Sequence, residues 1–465
     1  MALNAAMTWY NRTGGVEANG GGFDSTISGA GTNYADQDAP QLSITDLAST
    51  ASTTVTSVTG GFTAAMIGNV LRLASATGSP VADSAGSRYL AITGYTDTNT
   101  ITVDKVSGTY TLGIAKVGGA HATLVNYSNG GSGLATPALT SPLAPGHTVY
   151  IRSAGSAADP SIAGTPDYDY SAGYWQFPSG NRTVGTTHFI GLGASETIVG
   201  RWAKSTYRPL IKTSGLLHFS SNHIICSNLK TFGTSTPTYV NEGVFGGSYG
   251  GAIFSIHDVN GGDARINGSG PSQFFLFNWV KNTGGTTAGT KIAIAMSVEG
   301  VVGYNLVTDY RGIGMAVTST GAGAMYGNIV ANCHADAFSI DGDPGGGAFI
   351  VNNVAYNPVG HGFTFTQAGL AASVVLNNSS SKIASGKYAF NVSAGTAAAN
   401  DLLKKMFNYN NAYLDGGAGG LYNAISAGPN DTNLDPQFTD PTSATWDFSI
   451  GTNLKAKGIG QVPFA

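Results

Sequence analysis

Charge is scarce in this chain. Of its 465 residues only 22 are Lys or Arg and 26 are Asp or Glu, which leaves a net charge of −4. No basic footprint exists for a nucleic acid, so nucleic-acid binding is excluded as a reading. No apolar run reaches the length of a membrane span, so no membrane insertion is expected. Cysteine is also scarce: Cys226 and Cys333 are the only two, too far apart in the repeat described next for a disulfide to reach. Both sit among apolar, strand-like residues and read as small core side chains. The start, Met1-Ala2-Leu3-Asn4, lacks the charged and apolar regions of a signal peptide, so synthesis in a cytoplasm is expected.

What the chain has instead is glycine, 67 residues, alongside 42% hydrophobic content. Glycine without collagen periodicity can mean disorder, but regular strand patterns point to an ordered, turn-rich β fold. Two columns of residues repeat in step. Asn305, Asn328, Asn353 and Asn378 are separated by 23, 25 and 25 residues, and Met315, Phe338, Phe363 and Tyr388 by the same intervals. Such joint drift means one unit of about two dozen residues stacked on itself.

The units contain Tyr304-Asn305-Leu306-Val307, Gly327-Asn328-Ile329-Val330, Asn352-Asn353-Val354-Ala355 and Asn377-Asn378-Ser379-Ser380. Each is followed by a short run of period two, such as Phe363-Thr364-Phe365, which reads as strand. Gly, Asn, Ser and Asp fill the gaps as turn chemistry. No unit holds a helical stripe, so the repeat is read as one coil of a parallel β-helix. Asn at the repeated position tolerates left-handed turns, and stacked amides roughly 4.8 Å apart can bond one another. The ladder is therefore expected to be scaffold. At that spacing the body would be a rod about 50–60 Å long. The segment 397–405 reads as a short helix.

Residues 1–130 lack the repeat and read as a small antiparallel β module, with a hairpin across Thr96-Asp97-Thr98-Asn99 and a helical turn near Phe62–Gly68. The flexible Asn129-Gly130-Gly131-Ser132-Gly133 marks its end. The expected division is 1–130 for this module, 131–430 for the β-helix body and 431–465 for a closing segment.

The register turns scattered charges into neighbours. Asp309 maps onto Asn332 and then Asn357; Arg311 maps onto His334; Asp336 should stack on His361. Asp309, Arg311, His334, Asp336 and His361 form the densest ionisable patch, and are the candidate catalytic residues. Carboxylates at suitable separation can hydrolyse a glycoside, and a His or Arg beside a carboxylate can serve a lyase. The plainer explanation is solvated turn residues with one weak ion pair. A second group, Glu242, His257, Asp258 and Asp263, lies in a Gly-rich stretch with loop character. Tyr168, Tyr170, Tyr174 and Trp175 form an aromatic run suited to a glycan or a subunit contact. Asp341-Gly342-Asp343 and Asn430-Asp431-Thr432-Asn433 carry oxygen ligands but no known calcium spacing, so turns explain them better. No metal and no cofactor is expected.

Trp9-Tyr10-Asn11-Arg12-Thr13-Gly14-Gly15, Tyr34-Ala35-Asp36-Gln37-Asp38-Ala39-Pro40-Gln41-Leu42 and Ile92-Thr93-Gly94-Tyr95-Thr96-Asp97-Thr98-Asn99 resemble the N-terminal module of bacteriophage appendage proteins that carry a right-handed parallel β-helix. Leu434-Asp435-Pro436-Gln437-Phe438 and Asp447-Phe448-Ser449-Ile450 resemble the closing segment of right-handed β-helix proteins in general. The resemblance implies a viral tailspike or tail fibre: a homotrimer on the virion, attached to other virion proteins by its N-terminal module, with its wall facing a host surface polysaccharide. Assembly in the host cytoplasm fits. Fold does not choose the chemistry; the missing signal peptide counts against a free polysaccharide lyase or hydrolase, and two further readings stay open. One is an appendage that binds and also cleaves the glycan. The other is a non-enzymatic head decoration or structural virion protein.

Overall fold

The computed structural model describes residues 7–16, 19–24, 38–80, 89–120, 146–153, 168–170, 175–177, 187–192, 210–213, 217–219, 224–233, 245–247, 252–254, 257–260, 266–268, 273–282, 291–296, 299–317, 323–341, 348–366, 373–393, 406–414, 419–441 and 447–455. These are almost entirely strand and turn, and the body is a right-handed parallel β-helix, as the repeat implies. Two units fall out: Met1–Thr213 with Phe219–Leu229, and Ser214–His218 with Lys230–Ala465.

In the first unit Leu42–Thr50, Thr54–Thr56, Val70–Pro80, Tyr89–Asp97, Thr100–Val103 and Gly108–Val117 close into an antiparallel barrel. Ile44, Leu47, Val55, Phe62, Leu71 and Ile101 fill it. The expected hairpin is present: Asp97 Oδ1 accepts the Asn99 N–H at 2.8 Å, and the Asn99 amide ties back to the carbonyl of Ser57. The expected helical turn is the 3-10 turn Ala64–Met66.

One strand departs from the expected division. Met7–Asn11 does not join the barrel; it pairs in parallel with Thr148–Arg152, which pairs with Thr187–Leu192 and so with Ile224–Ser227. The barrel is thus inserted between the first and second strands of a β-helix wall. Trp9 explains the attachment, since it is fully buried and its Nε1 donates to His147 Nδ1 at 3.0 Å. Phe23–Asp24 pairs antiparallel on the outer side of Met7–Asn11, covering that edge at Met7 and Thr8.

The second unit is coiled from three parallel walls. The first includes Gln273–Leu276, Gly300–Gly303, Gly323–Tyr326, Phe349–Val351, Val374–Leu376 and Phe407–Asn408. The second includes Trp279–Asn282, Leu306–Thr308, Ile329–Ala331, Val354–Tyr356, Ser379–Ser381 and Asn411–Tyr413. The third includes Ile292–Met296, Ile313–Val317, Phe338–Asp341, Phe363–Thr366, Tyr388–Val392 and Gly420–Asn423.

The asparagine column sits between the first and second walls and is fully buried. The left-handed turn residue is not the ladder asparagine but the residue before it: Phe277, Tyr304, Gly327, Asn352, Asn377 and Tyr409 all have φ between 54° and 64°. This frees the asparagine side chain to point inward. Gly327 is required for a second reason, because a Cβ there would lie 2.9 Å from the Tyr304 ring.

The aromatic column needs one correction. Phe338 pairs with Phe363 as expected, but Phe363 pairs with Phe390 and not with Tyr388. Two extra residues enter the turn before this strand, around Gly386 with φ +74°. Phe338, Phe363, Phe390 and Tyr422 therefore form the stack, with centroids 4.6, 5.0 and 5.7 Å apart and planes within 12°.

Both cysteines are buried and free, and burial pushes the Cys333 thiol up to about 12, as expected for inert core residues. The closing segment forms a bridge from Thr432 to Asn411, and Phe438 and Phe448 set their edges against Tyr356. The segment expected to be helical, 397–405, lies outside the described residues. No helix among those described is long and apolar enough to cross a membrane.

Candidate functional site

Asp336 and His361 stand at the corner between the second and third walls. The His361 N–H donates to Asp336 Oδ1 at 2.7 Å, so these two residues stack one coil apart. The other carboxylate oxygen accepts from the Thr364 hydroxyl at 2.6 Å. Gly360 makes room: a Cβ there would come within 2.3 Å of Asp336 Oδ1 and 2.5 Å of the Asp336 backbone nitrogen. Thr364 and Gly360 carry no charge, which is why a search for ionisable neighbours passes over them.

His361 is fixed from the other side. Its Nδ1 accepts the Tyr388 N–H at 2.9 Å, and its ring lies 5.7 Å from the Tyr388 ring at an angle of 11°. The two-residue slip in the turn brings Tyr388 here, out of the aromatic stack and onto the corner. Burial lowers the His361 pKa and the Lys387 charge pushes the same way, while Asp336 opposes them. The imidazole is therefore held neutral with its proton on Nε2. The corner offers a fixed Nε2–H donor beside an aromatic ring. Nδ1 of His361 and each oxygen of Asp336 already accept one hydrogen bond from the fold.

Arg311 and His334 lie one coil apart as expected, since the His334 N–H donates to the carbonyl of Tyr310 at 2.7 Å. Asp309 belongs to a different feature. It has φ 52°, accepts from the Asn332 amide at 3.2 Å, and sits 3.7 Å from Lys281 Nζ. Asn332 in turn accepts from the Asn357 amide at 2.8 Å. The column Asp309, Asn332, Asn357 is a second, outer ladder on left-handed turn residues, with φ 51–54° throughout.

Tyr168, Tyr170 and Trp175 lie on the strands Tyr168–Tyr170 and Trp175–Phe177, and His257 and Asp258 on His257–Asn260; their side chains, and Tyr174, Glu242 and Asp263 entirely, lie outside the described residues. Among the described residues no group of His, Cys, Asp or Glu is placed to hold a metal ion.

Another surface was not singled out by the sequence. On the outer face of the first wall Phe274, Val301, Ala324, Phe349 and Val374 stand in one row. Phe274 is 43% exposed and Phe349 54%. No charged residue occurs in these five strands. At its margin Phe277 stacks on Tyr304, with centroids 5.2 Å apart and planes 3° apart.

No family model matches the sequence, and no curated protein matches it. Among solved structures, the catalytic domain of a GH87 alpha-1,3-glucanase in complex with tetrasaccharides is 11% identical, with 84% of this chain and 89% of that one covered at a TM-score of 0.33. The catalytic unit of a thermostable GH87 alpha-1,3-glucanase from Streptomyces thermodiastaticus strain HF3-3 is also 11% identical, with 84% and 90% covered at 0.30. A likeness this distant bears on no reaction and no substrate.

Proposed function

We propose that this protein is a bacteriophage virion appendage, a tailspike or fibre, whose β-helix wall binds a host surface polysaccharide. The sequence resemblance at both ends and the β-helix body support the appendage. The corner of His361 and Tyr388 carries the binding reading. A neutral donor, Nε2–H, stands beside a ring that is nearly parallel to the imidazole. Sugars offer hydroxyl acceptors and apolar C–H faces, and this pair meets both.

Binding is favoured over cleavage because Nδ1, the basic atom of His361, is committed to the Tyr388 N–H, and each oxygen of Asp336 is already tied to the next coil by one hydrogen bond. The test is to incubate the purified protein with polysaccharide from the phage's host, and to follow binding and chain length together. Retention of polysaccharide at constant chain length, lost in His361→Ala, supports the proposal. Shortened chains, with cleavage abolished by Asp336→Ala, would establish the enzymatic reading in its place. Labelling intact particles with an antibody then separates a tail position from a head decoration.

The same proposal takes the chain as a homotrimer packed through the uncharged outer face of the first wall. Phe274→Asp with Phe349→Asp should lower the sedimenting mass towards one chain. An unchanged mass would remove this face as the contact.

A further inference from the structure

The inner ladder has a direction. At every step the earlier coil donates and the later one accepts: the backbone N–H and the side-chain amide of Asn278 both reach Asn305 Oδ1, and Asn305 reaches Asn328 in the same way, through Asn353 and Asn378 to Asn410. Each asparagine accepts with Oδ1 and donates with Nδ2. Such a row leaves an N–H at its last member wherever it stops, and a buried N–H without an acceptor is costly.

Asp431 stands where the next asparagine would be. Its Oδ1 accepts the Asn410 N–H at 2.8 Å, against 2.9–3.0 Å for the corresponding bonds within the row. Its Oδ2 accepts the Gly428 N–H at 2.9 Å and the Tyr422 hydroxyl at 3.2 Å. A carboxylate accepts on both oxygens and donates on neither, so the relay ends there.

The outer ladder runs the opposite way, from Asn357 to Asn332 to Asp309. It too has an aspartate at its accepting end. Two rows of opposite sense share one kind of terminus. The reason is common to both: each row ends on a donated N–H, and a carboxylate accepts it without donating further.

We infer that Asp431 is the stop of the inner ladder and the clasp that holds the closing segment over the edge of the last coil. Directly after it, the Thr432 N–H donates to the Asn410 carbonyl at 2.8 Å and the Ala412 N–H to the Thr432 carbonyl at 3.0 Å. The Asn411 side chain accepts the Leu434 N–H and donates to the Leu434 carbonyl, both at 2.9 Å. These bonds cover an edge of the second wall that would otherwise be open to pairing with another chain. The clasp and that edge form one unit, separable from the interior coils.

The discriminating variant is Asp431→Asn. It keeps the volume and one acceptor, but in either orientation the amide sets a donor against the N–H of Asn410 or of Gly428. Hydrogen exchange on the full chain reads the outcome. The amides of Asn410, Ala412, Thr432 and Leu434 should exchange at least tenfold faster than in the native protein, with Asn305, Asn328 and Asn353 unchanged. Native rates at all of these amides, or one uniform rise along the chain, would overturn the inference. Should Asp431→Asn fail to fold, Tyr422→Phe removes one donor and leaves the carboxylate. It should speed the Gly428 and Thr432 amides several-fold, and native rates there would count against the clasp equally.

Discussion

Asn328→Ala tests whether the buried ladder holds the coils together. Asn328 is fully buried and makes four side-chain hydrogen bonds. Its Oδ1 accepts the backbone N–H of Asn305 at 3.0 Å and the Asn305 amide at 2.9 Å. Its Nδ2 donates to the Val302 carbonyl at 2.7 Å and to Asn353 Oδ1 at 2.9 Å. After truncation Asn353 Oδ1 keeps the Asn328 N–H and the Asn305 amide keeps the Phe275 carbonyl. The Asn305 N–H and the Val302 carbonyl lose these partners. Val302 lies in a strand paired on both sides, so its carbonyl keeps a sheet partner. The Asn305 N–H alone is left unsatisfied, which predicts a loss of about 1–3 kcal/mol. Asn332→Gly in the half-exposed outer ladder is the control, since glycine keeps the left-handed φ of 54° without strain. Its expected loss is about 1 kcal/mol or less, because water replaces the side chain's partners. Solenoids need not unfold in one step. The assay is therefore urea unfolding combined with hydrogen exchange at Asn305 and Leu306, the residues facing the deletion. Equal losses for the two variants would refute the reasoning, since burial would then make no difference to an amide ladder.

Other outcomes follow from the same geometry. Gly360→Ala should cost about 1–3 kcal/mol in chemical unfolding, since the added Cβ meets backbone at 2.5 Å and backbone cannot swing aside. Phe363→Ala removes the ring between Phe338 and Phe390, and should cost about 3–5 kcal/mol by the same measurement. The folded pKa of His361 lies below its usual value of about 6.5, so the folded state binds its proton less readily than the unfolded chain. The stability this contributes is present above about pH 6.5 and is lost as the pH falls below it towards the folded value. Melting temperature measured from pH 7.5 to 5 should fall more in the native protein than in His361→Gln.

The repeat made much of this legible from residues alone. Two columns with the same intervals supplied the coil register, and the bonds between His361 and Asp336 and from Asn357 through Asn332 to Asp309 follow from it. Where the register failed, the cause is local. Tyr388-Ala389-Phe390 offers an aromatic at both alternating positions, so spacing could not say which ring enters the stack. The turn before it took two more residues, and the outer ring went to His361. Roles were less legible than positions. A charge count marks Asp309 and Asp336 as chemically interesting, yet whether a carboxylate oxygen is available depends on donors such as the Thr364 hydroxyl and a backbone N–H. Those donors look ordinary in a sequence. The strand Met7–Asn11 escaped for a similar reason: it has no repeat partner nearby in the chain, and its wall neighbour begins at Thr148.

The variable coil length has a structural consequence for where function can reside. Successive ladder asparagines are 23, 25, 25 and 32 residues apart from Asn305 to Asn410. Their bonds nevertheless stay between 2.9 and 3.1 Å. All of the added length must therefore leave through turns, because a wall residue displaced by one position would put its buried side chain outside. The turn that gained two residues before Phe390 is also the one that set Tyr388 over His361. In this fold the ladders and the aromatic stack hold the walls in register, and changes of turn length bring new side chains onto the outer surface without disturbing what lies beneath.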